Sequence, residues 1–275
     1  MKKNIYKAIK FFKAFCWIIV FLWFGIIIYI FFFFSANDWF HLAAKPQGAM
    51  ISQKIFDVLI SKYPSESKYY FEKSVPYNKR GNYLIGFNLL NKAVDLDAKS
   101  HLGYRGWLRL NKLKDYSGAL QDFKTLDSLT PKFIDAPWGE NIYYLKGICY
   151  LGLKEYTNAS KEFDKYIKSE KDSSWVNPNM FLYKGIAKSK LGDHKNAKLN
   201  FIACLKYNKN CTEAYYYYGE NLLKKKSFDS AKLMLNSAHD LISKGIKNKD
   251  VYNEVMYEIY PSDVEEKLKI IKNMD

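Results

Sequence analysis

The chain opens with a long apolar stretch behind a basic flank. Residues 14–34 hold no charge or strongly polar group, and the five lysines before them (Lys2, Lys3, Lys7, Lys10 and Lys13) meet no acid. As a helix at about 1.5 Å per residue, this stretch reaches about 30 Å, the thickness of the hydrocarbon core of a bilayer. The positive-inside rule places residues 1–13 in the cytoplasm and the chain after Phe34 across the membrane. The pattern predicts a single-pass anchor.

A cleaved signal peptide is the competing interpretation of this stretch. It requires a shorter apolar region followed by a small-x-small cleavage site. The nearest candidate sites end at Ala36 and Ala44, and each has a large residue, Phe34 or Leu42, two positions earlier. We therefore favour an uncleaved anchor, followed by a linker over 35–47 and a lead-in helix over 48–66.

The rest of the chain repeats with a period of about 34 residues. In three blocks a glycine precedes an alanine by twelve residues, and a bulky apolar residue follows that alanine by four; the blocks are Gly147, Ala159 and Phe163, then Gly185, Ala197 and Phe201, then Gly219, Ala231 and Leu235. An earlier block around Gly106, Ala119 and Phe123 has one extra residue. The first block, from Tyr70 to Ala93, follows the pattern least well.

These spacings resemble the tetratricopeptide repeat (TPR), whose unit is a pair of antiparallel helices. Helix axes approach closely only where the contact residues are small, so Gly147 should face Ala159 while Phe163 fills the space beside them. The resemblance implies an all-α, TPR-like superhelix preceded by one transmembrane helix. It predicts about five repeats (67–100, 100–133, 140–173, 178–211 and 212–245), with C-terminal capping helices over 246–275.

The resemblance also implies a binding groove formed by the first helix of each repeat. The positions assigned to it are mostly apolar or aromatic: Phe71, Tyr144, Ile148, Leu182, Ile186, Tyr216 and Glu220. They do not match the Lys and Asn pattern with which some members of this family hold a terminal carboxylate. The expected ligand is a protein or peptide, although each of these residues could instead belong to the core.

The charge distribution disfavours nucleic acid as a partner. The formal net charge is +15, but only three of the 43 basic residues are arginine, and arginine is the residue that most often grips bases and phosphates in a bidentate manner. Lysines cluster at the turn inside each predicted hairpin, as at Lys112, Lys114, Lys154 and Lys224 to Lys226. They could form a basic edge for an acidic partner, or simply complement the helix dipoles.

No pattern in the sequence indicates catalysis. The four histidines are isolated, and there is no HExxH, CxxC, phosphate-binding loop or nucleophile elbow. Cys204 and Cys211 could form a disulfide in an oxidising compartment, but free thiols are favoured. We expect no cofactor, no metal and no enzyme activity.

The sequence predicts a membrane-anchored TPR scaffold that binds proteins on the extracytoplasmic side, in the periplasm of a bacterium. One alternative is a signal-anchored receptor whose repeats face the cytosol. A less favoured alternative is an enzyme with its site in the groove.

Overall fold

The computed structural model describes residues 2–170 and 176–273, without the side chains of residues 2–9, 14, 27–28 and 30–32. The described chain is helical and contains no strand. It divides into two units, Met1–Ala98 and Lys99–Asp275. Pro178 and the polar residues before it predict a longer connection over 172–178, most of which lies outside the described residues.

The described residues of the first unit form five helices: α1 (Lys2–Phe33), α2 (Ala36–Ala44), α3 (Met50–Lys62), α4 (Ser67–Lys79) and α5 (Tyr83–Leu96). No helix among the described residues has both the length and the apolar character needed to cross a membrane. Several side chains of the predicted span, those of residues 14, 27–28 and 30–32, are outside the description.

The linker predicted over 35–47 is instead largely helical, because α2 occupies most of it. The Ser35 hydroxyl accepts a hydrogen bond from the Asp38 backbone N–H at 3.3 Å, and the Asp38 carboxylate accepts one from the Ser35 N–H at 2.9 Å. This capping box satisfies two free N–H groups at the start of the helix. Behind it, Phe40 packs against Phe56 and Tyr69, which gives α2 an apolar face to bury.

In its described part, 99–170 and 176–273, the second unit is a series of four helical hairpins followed by one more helix. Its helices are α6 (Ala98–Leu108), α7 (Tyr116–Leu129), α8 (Ile142–Gly152), α9 (Tyr156–Ser169), α10 (Pro178–Lys190), α11 (His194–Tyr207), α12 (Thr212–Lys224), α13 (Phe228–Ser243) and α14 (Pro261–Lys272). A π-helical turn, Arg109–Leu113, continues α6. Each hairpin packs on the next, and α10 contacts both α8 and α12. The first helices of these hairpins therefore form one face.

The glycines of the repeat lie where the two helices of a hairpin cross. A Cβ atom built on Gly147 would lie 2.4 Å from Cε1 of Phe163, and one on Gly185 would lie 2.7 Å from Cε1 of Phe201. Both rings are fully buried. The sixteen-residue spacing from the glycine to the ring therefore encodes a contact in which an aromatic ring packs directly on a glycine.

The turn inside each hairpin needs a left-handed residue. At the end of α8, the N–H groups of Lys154 and Glu155 bond back to the carbonyls of Leu151 and Tyr150, which is a Schellman closure. Its left-handed position is occupied by Lys154 with φ 60°, whereas the corresponding turn after α10 has Gly192 with φ 77°. Some of the turn lysines thus occupy a backbone conformation that glycine adopts more easily.

A buried carboxylate ties α6 to α7. The Asp122 side chain, 2% exposed, accepts hydrogen bonds from Arg105 Nη2 at 2.7 Å and from Arg109 Nη1 at 2.9 Å. Two of the three arginines of the chain therefore neutralise one acid inside the second unit.

The C-terminal region predicted as capping helices, 246–275, contains only one helix in its described part. Residues 246–260 are not helical, and α14 begins after Tyr260, whose N–H donates to the Asp263 carboxylate at 2.7 Å. The run Lys247-Asn248-Lys249-Asp250 offers no apolar face for a helix to bury. Asn248 in this run pairs with Glu213 and Asn179 of the repeats, whereas Lys247 pairs with Glu258 of the same C-terminal segment.

Candidate functional site

The groove is defined here as the face formed by the first helices α6, α8, α10 and α12 of the second unit. Tyr144 and Ile148, one turn apart on α8, both line a cavity on this face. Leu182 and Ile186, expected to continue the strip on α10, are almost completely buried in the core. The structure thus brings only the α8 pair of these four residues to the cavity.

The three other predicted groove residues lie elsewhere. Tyr216 on α12 is buried in a cluster that includes Val264 and Ile271 of α14. Glu220, one turn further along α12, pairs with Lys267 of α14 at 3.4 Å. Phe71 is half-buried on α4 in the first unit. The described C-terminal helix therefore covers the groove positions of the last hairpin.

The cavity has a volume of about 410 Å³ and a mixed aromatic and amide lining. Its rings come from Trp107, Tyr116, Trp138, Tyr144 and Tyr183, and its amides from Asn111, Asn177, Asn179, Asn248 and Asn253. Surfaces of this composition present broad apolar faces beside fixed hydrogen-bond donors and acceptors, as protein-binding sites typically do.

Trp138 stands at this cavity on the connection between α7 and α8. Its indole stacks on Tyr104 with a centroid distance of 4.8 Å and on Trp107 at 5.6 Å. The residue has φ 55°, a conformation that a bulky side chain adopts only when its surroundings hold it there. With 58% of its surface exposed, Trp138 offers a partner an aromatic face that is already fixed in position.

Tyr144 and Glu140, which line the cavity, favour their neutral forms. Burial raises the pKa of Tyr144 well above its usual value, and the nearby Tyr183 and Glu140 raise it further. Burial also raises the pKa of the Glu140 carboxyl. The tyrosines are therefore hydrogen-bond donors at neutral pH and cannot act as phenolate nucleophiles.

Residues 246–259, called the strap below, cross the groove. The strap leaves the end of α13, passes the N-termini of α12 and α10, reaches the end of α6, and returns across α10 and α12 to α14. Asn248, Asn253 and Met256 of the strap form part of the cavity wall. The strap differs from the capping helices predicted for this region, and its main signal in the sequence is the polar run Lys247-Asn248-Lys249-Asp250 just after the last repeat.

The second unit also contains buried thiols. Cys149, Cys204 and Cys211 are buried and free, and the Cys204 and Cys211 side chains interact with each other. Burial raises the pKa of the Cys149 thiol, which makes it a poor nucleophile. Among the residues that the structure describes, no group of His, Cys, Asp and Glu could hold a metal ion.

Comparisons with solved structures identify the fold. No protein-family model and no curated protein matches the sequence. The chain is similar to YrrB, described as a TPR protein with an unusual peptide-binding site, with a TM-score of 0.55 and 16% identity over 68% of this chain and 91% of that one.

Two further solved structures give the same result. MamA from Desulfovibrio magneticus RS-1 (residues 41 to the end) matches with a TM-score of 0.57 and 15% identity over 65% of this chain and 96% of that one. The C-terminal part of a TPR-containing protein from Cytophaga hutchinsonii matches with a TM-score of 0.57 and 16% identity, over 75% and 80%. The predicted TPR architecture is confirmed, and the chain has the fold of the tetratricopeptide-repeat proteins.

Proposed function

We propose that this protein is a scaffold whose groove, at the cavity beside Trp107, Trp138 and Tyr144, binds a segment of a partner protein. The observation that carries the proposal is the cavity itself. It lies on the face formed by the first helices, and it combines a fixed, half-exposed tryptophan with buried tyrosine donors. Aromatic anchors of this kind supply most of the binding energy at typical protein interfaces.

The solved relatives support the proposal at the level of fold. YrrB is described as having a peptide-binding site, and stacked helical hairpins commonly present an extended binding surface. The cavity chemistry adds what the fold alone does not provide, because neutral tyrosines and amides suit a protein backbone and apolar side chains better than they suit a reaction. We therefore place binding, and not catalysis, at this site.

Membrane anchoring is the second part of the proposal and rests on the sequence. The apolar stretch 14–34 and its lysine flank suit a single-pass anchor with the N-terminus in the cytoplasm. Large apolar side chains of α1, such as Phe21 and Trp23, are exposed and would contact lipid in that arrangement. Protease added to spheroplasts should digest the repeats and spare residues 1–13; full protection of the repeats would refute this orientation.

Groove binding is tested by photo-crosslinking in the full chain in its native host. A photoreactive phenylalanine analogue replaces Trp138, beside the cavity, and in a matched variant it replaces Leu199, which is exposed on the second helix α11. Discrete adducts should form from position 138 and not from position 199, because only the former faces the groove.

A second substitution tests whether the adducts depend on the cavity. Tyr144→Ala removes a ring from the cavity wall, and it should abolish the adducts at position 138 while the protein remains helical by circular dichroism. Adducts that form equally from both positions, or that persist undiminished in the Tyr144→Ala background, would show that the cavity is not the binding site.

A further inference from the structure

The repeats hold the strap mainly through its backbone. The Ile246 carbonyl accepts from Thr212 Oγ1 at 2.6 Å, and the carbonyls of Tyr252 and Glu254 accept from Lys112 Nζ at 2.7 Å and Lys114 Nζ at 3.0 Å. On the return path, the carbonyl of Met256 accepts from Tyr183 Oη at 3.4 Å, and that of Tyr257 from Tyr217 Oη at 3.2 Å. Five strap carbonyls are thus bound by side chains of the repeats.

Recognition through carbonyls does not depend on the sequence that supplies them, since every residue carries the same acceptor. The donors are fixed by the repeats: two lysines follow α6, and the tyrosines and the threonine lie on α10 and α12. Any non-helical segment that follows the same path could accept these bonds. The groove is therefore built to bind an irregular chain segment that bends and turns back, and in this structure the segment that it binds is the protein's own strap.

Two side chains of the strap add specificity. The Glu254 carboxylate lies 3.9 Å from Lys114 Nζ. The Tyr257 ring packs against Tyr217 and Tyr183, with centroid distances of 5.8 and 6.4 Å, and its hydroxyl bonds to that of Tyr156. The site thus selects an acidic residue followed three positions later by an aromatic one.

The strap makes few apolar contacts that would hold it permanently in the groove. Val251 and Tyr252 at its tip are 91% and 82% exposed, whereas Ile259, where it rejoins the last helix, is buried in the core. Between its two ends it is held largely by hydrogen bonds that water can replace. Tyr257 also has φ 58°, a strained conformation that its contacts must maintain. These are features of a segment that opens locally while the rest of the fold stays closed.

We infer that the strap is an intramolecular competitor, and that the partner is an acidic-x-x-aromatic protein segment of similar irregular conformation that displaces it from Lys112, Lys114, Tyr183 and Tyr217. This inference rests on the proposed groove function and names the class of partner. Because the strap is tethered, it competes at a high effective concentration. A partner therefore binds the closed chain weakly and binds an opened chain tightly.

The test uses a fluorescein-labelled synthetic peptide with the sequence of residues 246–260 and measures its affinity for the full-length protein by fluorescence anisotropy. In the opened variant, Glu254→Lys is combined with Tyr257→Ala, so that the strap loses both specific contacts while the groove keeps every donor. The matched control combines Val251→Ala with Tyr252→Ala at the exposed tip.

The opened variant should bind the peptide at least ten times more tightly than the wild type or the tip variant. A peptide that carries the same two changes should lose this gain. Equal affinity of the opened variant and the wild type, whether both bind or neither does, would overturn the inference.

Hydrogen exchange on the wild-type protein provides a second measurement that needs no variant. At saturating peptide, amides in residues 249–257 should exchange at least ten times faster, while those of α8 and α10 do not change. Unchanged exchange in the strap would contradict displacement. If the strap is not displaced but crosslinks at position 138 still depend on Tyr144, the proposed groove function stands and only the proposed competition by the strap is refuted. If the crosslinks do not depend on Tyr144 either, the groove function is refuted as well.

Discussion

Adding one methyl group at Gly147 tests the crossing on which the repeat depends. The new Cβ would lie 2.4, 2.7 and 2.9 Å from three carbon atoms of the Phe163 ring, whereas carbon atoms in contact prefer about 3.5–4.0 Å. The ring is completely buried and has no solvent to move into. Either the ring leaves its rotamer or the two helices of the hairpin separate by about 1 Å.

Two effects of Gly147→Ala oppose each other. Overpacking a core costs about 1–3 kcal/mol, and we expect the upper part of that range because a rigid ring is the obstacle. Replacing glycine by alanine inside a helix gains about 1 kcal/mol. The net loss should be about 1–2 kcal/mol, which lowers Tm by about 2–8 °C for a unit of this size. Thermal unfolding followed by circular dichroism measures this loss.

A second substitution identifies the cause. In Gly147→Ala combined with Phe163→Leu, the shorter side chain makes room, so the combined loss should be smaller than the sum of the single losses by about 1 kcal/mol or more. Gly219→Ala is the matched comparison, because its Cβ meets Leu235, whose flexible side chain can yield. A Tm for Gly147→Ala at or above the wild-type value would refute the reasoning, since helix propensity alone predicts that result.

Three further predictions concern turns and charges. Lys154→Gly should stabilise the protein by about 1 kcal/mol and Gly192→Lys should destabilise it by about 1–2 kcal/mol, because both positions are left-handed; thermal melts that shift in the same direction for both would contradict this. Asp122→Ala removes the buried carboxylate that Arg105 and Arg109 share and should cost about 3–5 kcal/mol in urea unfolding, against about 1 kcal/mol or less for Asp164→Ala, whose ion pair is half-exposed. Burial raises the pKa of Glu213 in the folded state. The folded state therefore binds the Glu213 proton more tightly than the unfolded state does, and the free energy of unfolding falls as pH rises from the pKa of the unfolded state through that of the folded state. Glu213→Gln should thus be more stable than wild type above that window and equal to it below about pH 4, and a difference in stability that does not vary with pH would be the contrary result.

The repeats are predictable because each depends on a short-range pattern. A glycine, an alanine twelve residues later and a ring four residues beyond that specify one close crossing, and the pattern needs no knowledge of the rest of the chain. The spacing predicts that Gly147 faces Ala159 with Phe163 beside them, and in the structure the Phe163 ring lies directly on Gly147. Helix α2 was not predicted, because it is short and belongs to no repeat. Its capping box, Ser35 with Asp38, is the signal in the sequence that indicates it.

The groove residues were harder to assign because a helix turns by about 100° per residue, so an error of one position changes which way a side chain faces. On α10 the sequence interpretation chose Leu182, but Tyr183, two positions before the crossing Gly185, contacts the strap and the cavity. Tyr217 stands two positions before Gly219 and also bonds to the strap.

The crossing glycine therefore provides the register for the groove. It fixes which side of the first helix packs on its partner, and the residue two positions earlier lies on the groove side of that helix. Leu145, two positions before Gly147, obeys the same rule and lines the cavity. Its side chain has no hydroxyl, so α8 offers the strap no donor at this position. No strap carbonyl bonds to α8 in the described residues, and the cavity lies where that bond is missing. The pattern of tyrosine, tyrosine and leucine at this one position determines both where the strap is held and where space remains for a partner side chain.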